Sequence, residues 1–135
     1  MNERYGVTVA TGSLKPVGEP VVQFPHRWTA EGVSVTADFT GAHLLHLAAA
    51  GCVFNDVCRE AEKLDIPVKG VRVEALGGYD PDSWQSTGIE YTIHVATSAA
   101  PEELERLLEI VDTVAEIPRA IRAGAPVRRT ATTER

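Results

Sequence analysis

A single apolar stretch, HLLHLAAAGCVFNDVC at residues 43–58, carries both cysteines of the chain and two of its four histidines. Cys52 is its best candidate for chemistry, because an ionised thiol is a nucleophile. A cysteine in this setting can equally be a small hydrophobic residue that lets two helices approach closely. Nearly everything the sequence indicates about function depends on which description fits Cys52.

The second cysteine, Cys58, cannot form a disulfide with Cys52 inside one intact helix. Six residues of α-helix separate the two by about 9 Å along the axis and about 120° around it. A disulfide needs Cα atoms within about 7 Å of each other. A contact between the two across a dimer interface stays an open alternative. We predict that Cys58 is a buried or half-buried small residue.

The two histidines of the stretch, His43 and His46, lie three residues apart and therefore on one face of a helix. Three interpretations compete: a metal pair completed by His26 or His94, a histidine that lowers the pKa of Cys52 across a dimer interface, and histidines satisfied within a core or an interface. No Cys-x-x-Cys, His-Glu-x-x-His or carboxylate cluster accompanies them. We predict no metal and no other cofactor.

Asn55 and Asp56 follow Cys52 by three and four residues, so both could reach the same pocket from the next helical turn. Asp56 there would raise the pKa of a thiol, because a like charge disfavours the thiolate. Alternatively, both residues lie on a polar, solvated side of the helix, or Asn55 binds a neighbouring loop.

Arg27 and Trp28 are the remaining candidates for that pocket. Arg27 is the best available cation, although a position on a surface loop is the simpler interpretation. Trp28 could line an apolar cavity, although aromatic residues mostly belong to the core. The candidate catalytic residues are Cys52, Arg27 and His43, and the candidate substrate-binding residues are His46, Asn55 and Trp28.

The elements that must position these residues follow from periodicity and turn residues. The run from Ala42 to about Leu64 contains good helix formers and no proline. Gly41 precedes it and Pro67 follows it, which predicts one long helix. Its first half is apolar on almost every side, which predicts burial there. Leucines at helical spacing after Pro101 predict a second helix.

Strands and helices alternate in groups along the rest of the chain. Strands are predicted at 5–10, 21–24, 33–39, 68–79 and 89–98, a loop at 80–88, a short helix at 119–124 and a possible last edge strand at 125–132. Runs of strands separated by helices favour an α+β fold, here an antiparallel β-meander plus a long central helix. Two helices need more apolar cover than one small sheet provides, so we predict an intertwined homodimer.

Composition limits the class of protein. The chain has 135 residues, which suits one domain spanning 1–135. Its formal net charge of −6 argues against nucleic acid as a partner, because phosphate binding favours a basic surface. No uncharged apolar run reaches about 18 residues, and the N-terminus does not have the order of a signal peptide. We therefore expect a cytoplasmic protein with free thiols and no membrane partner.

Several short segments follow one another in an order typical of one protein family. They are Leu47–Cys52, Ile66–Val68, Val71–Val73, Gly88–Val95, Pro101–Leu104 and Ile117–Pro118. In this order, and over nearly the whole chain, they resemble the OsmC/Ohr family of osmotically induced and organic-hydroperoxide-resistance proteins. The resemblance implies an OsmC-like fold.

The resemblance also implies a mechanism in which a cysteine at the position of Cys52 attacks a peroxide. In the family, a second cysteine directly before the proline of the short C-terminal helix then closes a disulfide. Here that position is Ile117, which cannot. The family's helper Glu and Arg fall at Ala42 and near residues 11–13, where this chain offers no charge.

Two hypotheses follow. The first is thiol-dependent reduction of organic hydroperoxides through Cys52, by one cysteine and an external reductant, in an oxidative-stress response. The second is a non-catalytic or small-molecule-binding homodimer that kept the fold and lost the peroxidase chemistry.

Overall fold

The computed structural model describes residues 4–17 and 22–131, and within them it contains one five-stranded sheet and three helices. The strands are β1 (Val7–Gly12), β2 (Val22–Phe24), β3 (Val33–Thr36), β4 (Gly70–Tyr79) and β5 (Ser86–Ala96), and the helices are α1 (Gly41–Lys63), α2 (Pro101–Val114) and α3 (Glu116–Ala123). Helix α1 packs on β1 and β4, and both α2 and α3 pack on α1. The predicted α+β class is therefore confirmed.

All pairings in the sheet are antiparallel, and the strand order is β2-β3-β1-β4-β5. The first three strands therefore depart from a simple meander, because β3 lies between β2 and β1. Burial explains the order: Val7, Val9 and Ala10 of β1 are buried, as a central strand requires, whereas all three residues of β2 are exposed at the edge. Strand β5 begins at Ser86, inside the predicted loop.

Helix α1 has almost the predicted range. The side chain of Thr40 accepts a hydrogen bond from the backbone N–H of His43 and so caps the N-terminus. The face that meets the sheet is apolar, and its buried residues are Ala50, Val53, Phe54, Val57 and Ala61. These five side chains form the core together with the inward-facing residues of β1 and β4.

One stripe of α1 is not covered by other described elements. Leu44 is 36% exposed and Ala48 is also exposed. A Cβ atom added to Gly51 would meet nothing within 4 Å outside its own helix and neighbours. The predicted burial of the apolar first half therefore holds within one protomer only for the side that faces the sheet.

Helices α2 and α3 both contact α1. Leu107 and Val111 of α2 are fully buried, in agreement with the helical spacing of the leucines. Helix α3 ends at Gly124, whose φ of 75° is unstrained because glycine has no Cβ. The predicted last strand at 125–132 is wrong over residues 125–131, which form no strand, and Thr132 lies outside the described residues.

Candidate active site

Cys52 lies on the side of α1 that faces the beginning of α3, and it is half-buried there. The backbone N–H groups of Glu116 and Ile117 lie close enough to its sulfur to lower the pKa of the thiol. These are the first two N–H groups of α3, and the first N–H groups of a helix have no acceptor within the helix. The sulfur of Cys52 therefore occupies the partially positive end of α3.

The balance of the surroundings nevertheless favours the protonated thiol. Burial is the largest contribution and raises the pKa of Cys52, and the carboxylates of Asp56 and Glu116 raise it further. The N–H groups of Ile117 and Glu116 lower the pKa but do not outweigh these effects. Among the described residues, no cation contributes appreciably to stabilising the thiolate within one protomer.

Asp56, one helical turn after Cys52, is buried with 3% of its surface exposed. The interpretation of Asp56 as part of a solvated side of the helix is therefore wrong, because α3 packs over this side. Oδ1 of Asp56 lies 3.0 Å from Nη2 of Arg59. Burial raises the pKa of Asp56, Arg59 lowers it, and the nearby charge of Glu116 raises it, so that the net direction is upward.

Further ion pairs follow Asp56 along α1. Nε of Arg59 donates to Oε2 of Glu60 at 3.0 Å, and Nζ of Lys63 donates to the same oxygen at 3.2 Å. These hydrogen bonds outweigh burial and lower the pKa of Glu60. The carboxylate of Glu60 therefore has two cationic partners, whereas Asp56 has one.

An apolar cleft of about 310 Å³ opens beside this site, between α1, β5 and α3. The side chains that line it include Ala49, Ile89, Tyr91, Pro118, Ile121 and Arg122. Ala49 precedes Cys52 by three residues and so lies on the same side of α1. The cleft is lined to receive an apolar group, with a guanidinium at its rim.

Neither Arg27 nor Trp28 is among the groups that shift the pKa of Cys52. The guanidinium of Arg27 lies 5.7 Å from the centre of the Trp28 ring, a cation–π distance, and Arg27 is otherwise exposed. Asn55 binds the same loop, since Nε2 of His26 donates to its Oδ1 at 2.8 Å. Of the alternatives for Asn55, this contact agrees with a bond to a neighbouring loop.

The two histidines of α1 lie in an aromatic cluster at its first turns. His46 is fully buried, stacks on Tyr79 and donates from Nδ1 to the backbone oxygen of Tyr5 at 2.9 Å. His43 contacts the Tyr5 ring edge-on, and its Nε2 lies 3.7 Å from Asp38. Both histidines precede the cysteine by at least six residues, about 9 Å along the helix. One protomer therefore does not bring them to the sulfur.

Cys58 faces a different space. It lines a cavity of about 190 Å³ with Thr11, Trp28 and Val71, and burial alone raises its pKa to about 12. Both cysteines are free thiols. The structure thus brings Cys52 together with Asp56 and α3, and it leaves Arg27, Trp28 and the histidines elsewhere in the protomer.

Sequence reasoning missed two members of this site, Glu116 and the unpaired N–H groups of α3. The signal that could have found them is Pro118, which marks the first turn of a short helix. The resemblance pointed to the same place, because Ile117 stands where the family has its second cysteine, and the backbone of Ile117 lies beside Cys52.

Two further observations concern metals and membranes. Within residues 4–17 and 22–131, no group of three or more His, Cys, Asp or Glu side chains could hold a metal ion. None of the helices described above combines the length and the apolar character needed to cross a bilayer.

Comparisons with known proteins agree with this architecture. No curated protein matches the chain. An OsmC-like hydroperoxide resistance protein from Jannaschia sp. CCS1 is similar in structure, with a TM-score of 0.59, 15% identity, and coverage of 96% of this chain and 95% of that one. An OsmC-like protein from Mycoplasma pneumoniae has a TM-score of 0.56 and 10% identity, with coverage of 90% and 89%. At such identities the likeness shows the fold alone. The family model described as OsmC-like protein matches residues 34–129, well over half of the chain, and the chain therefore belongs to the OsmC-like family.

Proposed function

We propose that this protein reduces organic hydroperoxides, with Cys52 as the attacking thiol and an external thiol as the reductant. The observation that carries the proposal is the position of Cys52, half-buried at the N-terminal N–H groups of α3 and beside an apolar cleft. Those N–H groups stabilise negative charge on sulfur, and the cleft suits the organic group of a substrate. The hydroperoxide resistance named for the Jannaschia relative supports the same activity.

The reaction begins when the Cys52 thiolate attacks the terminal oxygen of the hydroperoxide. A sulfur–oxygen bond forms, the oxygen–oxygen bond breaks, and the departing alkoxide takes up a proton to become an alcohol. Cys52 is left as a sulfenic acid. An external thiol condenses with it and releases water, and a second external thiol reduces the mixed disulfide and restores Cys52. An external reductant is needed because Cys58 faces another cavity and Ile117 carries no sulfur.

The proposal includes a homodimer that forms over the uncovered stripe of α1. Leu44, Ala48 and Gly51 follow one another at helical spacing on this stripe, and their small or apolar side chains allow another helix to approach closely. A dimer also offers the route by which Arg27 and His43 would act on Cys52, and by which His46, Asn55 and Trp28 would contact substrate. We further propose that residues 1–135 form one domain and that the protein is cytoplasmic, where two free thiols stay reduced.

Stopped-flow reduction of cumene hydroperoxide tests the activity. The wild type is expected to consume the hydroperoxide with a dithiol reductant, whereas Cys52→Ser loses the activity to the uncatalysed background. Cys58→Ser is the matched control, because it removes the other thiol from the same helix, and we expect its rate within about twofold of the wild type. Equal inactivity of the wild type and Cys52→Ser with every reductant would end the enzyme hypothesis.

A second candidate function is a homodimer that binds an apolar small molecule without transforming it. The observation that favours it is the upward pKa shift of Cys52, with two carboxylates and no cation contributing among the described residues of one protomer. This candidate predicts that hydroperoxide is not consumed, and that Cys52→Ser still binds apolar ligands in the cleft as tightly as the wild type. Measuring ligand affinity in both proteins by calorimetry distinguishes the two functions.

A further inference from the structure

Asp56 has a feature that the fold alone does not explain. Its residue surface is 97% buried, and its Oδ2 atom has no hydrogen-bond partner among the described residues. A buried polar atom without a partner carries a desolvation cost, and such atoms in native structures call for an explanation. Oδ1 is held by Arg59 at 3.0 Å, which leaves Oδ2 as the chemically available oxygen.

The Oδ2 atom of Asp56 lies close to Cys52. The two residues are four apart on α1, which places their Cβ atoms about 6 Å from each other on one face. Both interact with Glu116 at the start of α3, and the charge of Asp56 acts directly on Cys52. A Cβ–Cβ distance of about 6 Å is short enough for a proton to pass from the sulfur of Cys52 to Oδ2 of Asp56, either after a side-chain rotation or through one water molecule.

Hydroperoxide reduction requires proton transfer beside Cys52. The thiol must lose a proton to become nucleophilic, and the alkoxide must gain one as it leaves. We propose that Asp56 carries this proton, taking it from Cys52 through Oδ2 and delivering it to the alkoxide, while Arg59 holds Oδ1. The inference rests on the proposed function, since it assigns a role in that reaction.

The step is balanced without any further reagent. The thiol and the carboxylate react with R–O–O–H to give the Cys52 sulfenic acid, the alcohol R–O–H and the carboxylate again. Sulfur is oxidised, the peroxide is reduced, and the proton ends on the alcohol. Asp56 returns to its starting state in each cycle.

The charges that face Asp56 suit a group that gains and loses a proton. Arg59 and Lys63 of α1 favour the carboxylate, whereas Glu60 of α1 and Glu116 of α3 favour the acid. Burial adds to the second effect, so that the pKa of Asp56 moves upward.

The experiment compares two reactions of the same sulfur in Asp56→Asn. Alkylation by iodoacetamide needs only the thiolate, whereas hydroperoxide reduction also needs a proton for the alkoxide. Loss of the negative charge lowers the pKa of Cys52, so alkylation accelerates. Hydroperoxide reduction is expected to slow, so that the ratio of its rate constant to that of alkylation falls by about 100-fold at neutral pH. A ratio that falls less than tenfold overturns the inference.

Glu62→Gln provides the matched control. Glu62 is an exposed carboxylate on the same helix, and its loss changes the net charge equally, so the ratio of the two rate constants should stay as in the wild type. A ratio that falls as far in Glu62→Gln as in Asp56→Asn also overturns the inference, because net charge would then explain the loss.

A wild-type measurement covers the case in which Asp56→Asn does not fold. If Asp56 carries the proton, the reactive form is the thiol beside a carboxylate, and hydroperoxide reduction becomes independent of pH between the pKa values of the two groups. Alkylation keeps rising about tenfold per pH unit over that range. Parallel pH profiles contradict the inference. A wild type that reduces no hydroperoxide defeats the proposed function and the inference together, whereas an active wild type with parallel profiles defeats the inference alone.

Discussion

The two cysteines of α1 lie six residues apart on one helix, yet they meet different surroundings. Cys52 faces the N–H groups that begin α3 and the carboxylates of Asp56 and Glu116. Cys58 lines a cavity with Thr11 and Val71, and nothing but burial shifts its pKa. Cys52 therefore has neighbouring charged and N–H groups that favour either its thiol or its thiolate, whereas Cys58 has none that shift its pKa.

The difference shows that the elements packed across a helix, together with charged residues one turn along it, decide which groups act on a cysteine. Both thiols are half-buried and belong to the same apolar segment. What separates them is α3, whose first N–H groups and first side chain supply partners of opposite effect. The pKa of a thiol with such partners can be raised or lowered by them, whereas a thiol that is only buried stays protonated.

The largest expected effect is the difference in alkylation between the two cysteines. With a pKa of about 12, roughly one Cys58 side chain in ten thousand is ionised at pH 8. We expect iodoacetamide to label Cys52 about 100-fold faster in the folded protein, as followed by peptide mass spectrometry. The half-reaction pH of Cys52 should lie above that of an unperturbed thiol, because its pKa is raised. Equal labelling rates for the two cysteines would remove the basis of the comparison.

A substitution in α3 alone is expected to have a smaller effect on the alkylation rate of Cys52, and it tests the comparison more sharply. Glu116→Gln removes one of the two carboxylates that raise the pKa of Cys52 and keeps the backbone N–H groups that lower it. Alkylation of Cys52 should therefore accelerate, by less than about tenfold because the side chain of Glu116 is exposed and screened. Cys58 should be unaffected by this change.

The control for that variant is Glu109→Gln, which removes an exposed carboxylate from α2. It should leave the alkylation of both cysteines unchanged. An unchanged or slower Cys52 in Glu116→Gln, measured beside this control, would show that α3 does not set the reactivity of the thiol.

Much of the fold could be predicted from the sequence, because its strongest signals are local. The long helix follows from its helix formers between Gly41 and Pro67, and the inward alternation of β4 follows from Val71 and Val73, which are both fully buried. The resemblance to the OsmC/Ohr family also gave the correct family. These features depend on periodicity and on residues within a few positions of each other.

The candidate site was less predictable, because it depends on contacts between distant elements. The helical pattern shows that Asp56 shares a face with Cys52, but it does not show that α3 covers that face, some sixty residues later. Arg27 is the best available cation by sequence reasoning, yet its guanidinium lies over Trp28. For the same reason β1 pairs with β3 and not with β2, since strand order is a tertiary property.

The most direct test of the account is the fate of Cys52 after one equivalent of an organic hydroperoxide. The protein would be mixed with cumene hydroperoxide in the presence of dimedone, which traps sulfenic acids, and analysed by peptide mass spectrometry together with the alcohol released. The account predicts a dimedone adduct on Cys52, none on Cys58, and an equal amount of alcohol. Absence of both adduct and alcohol, or equal adducts on the two cysteines, would contradict it.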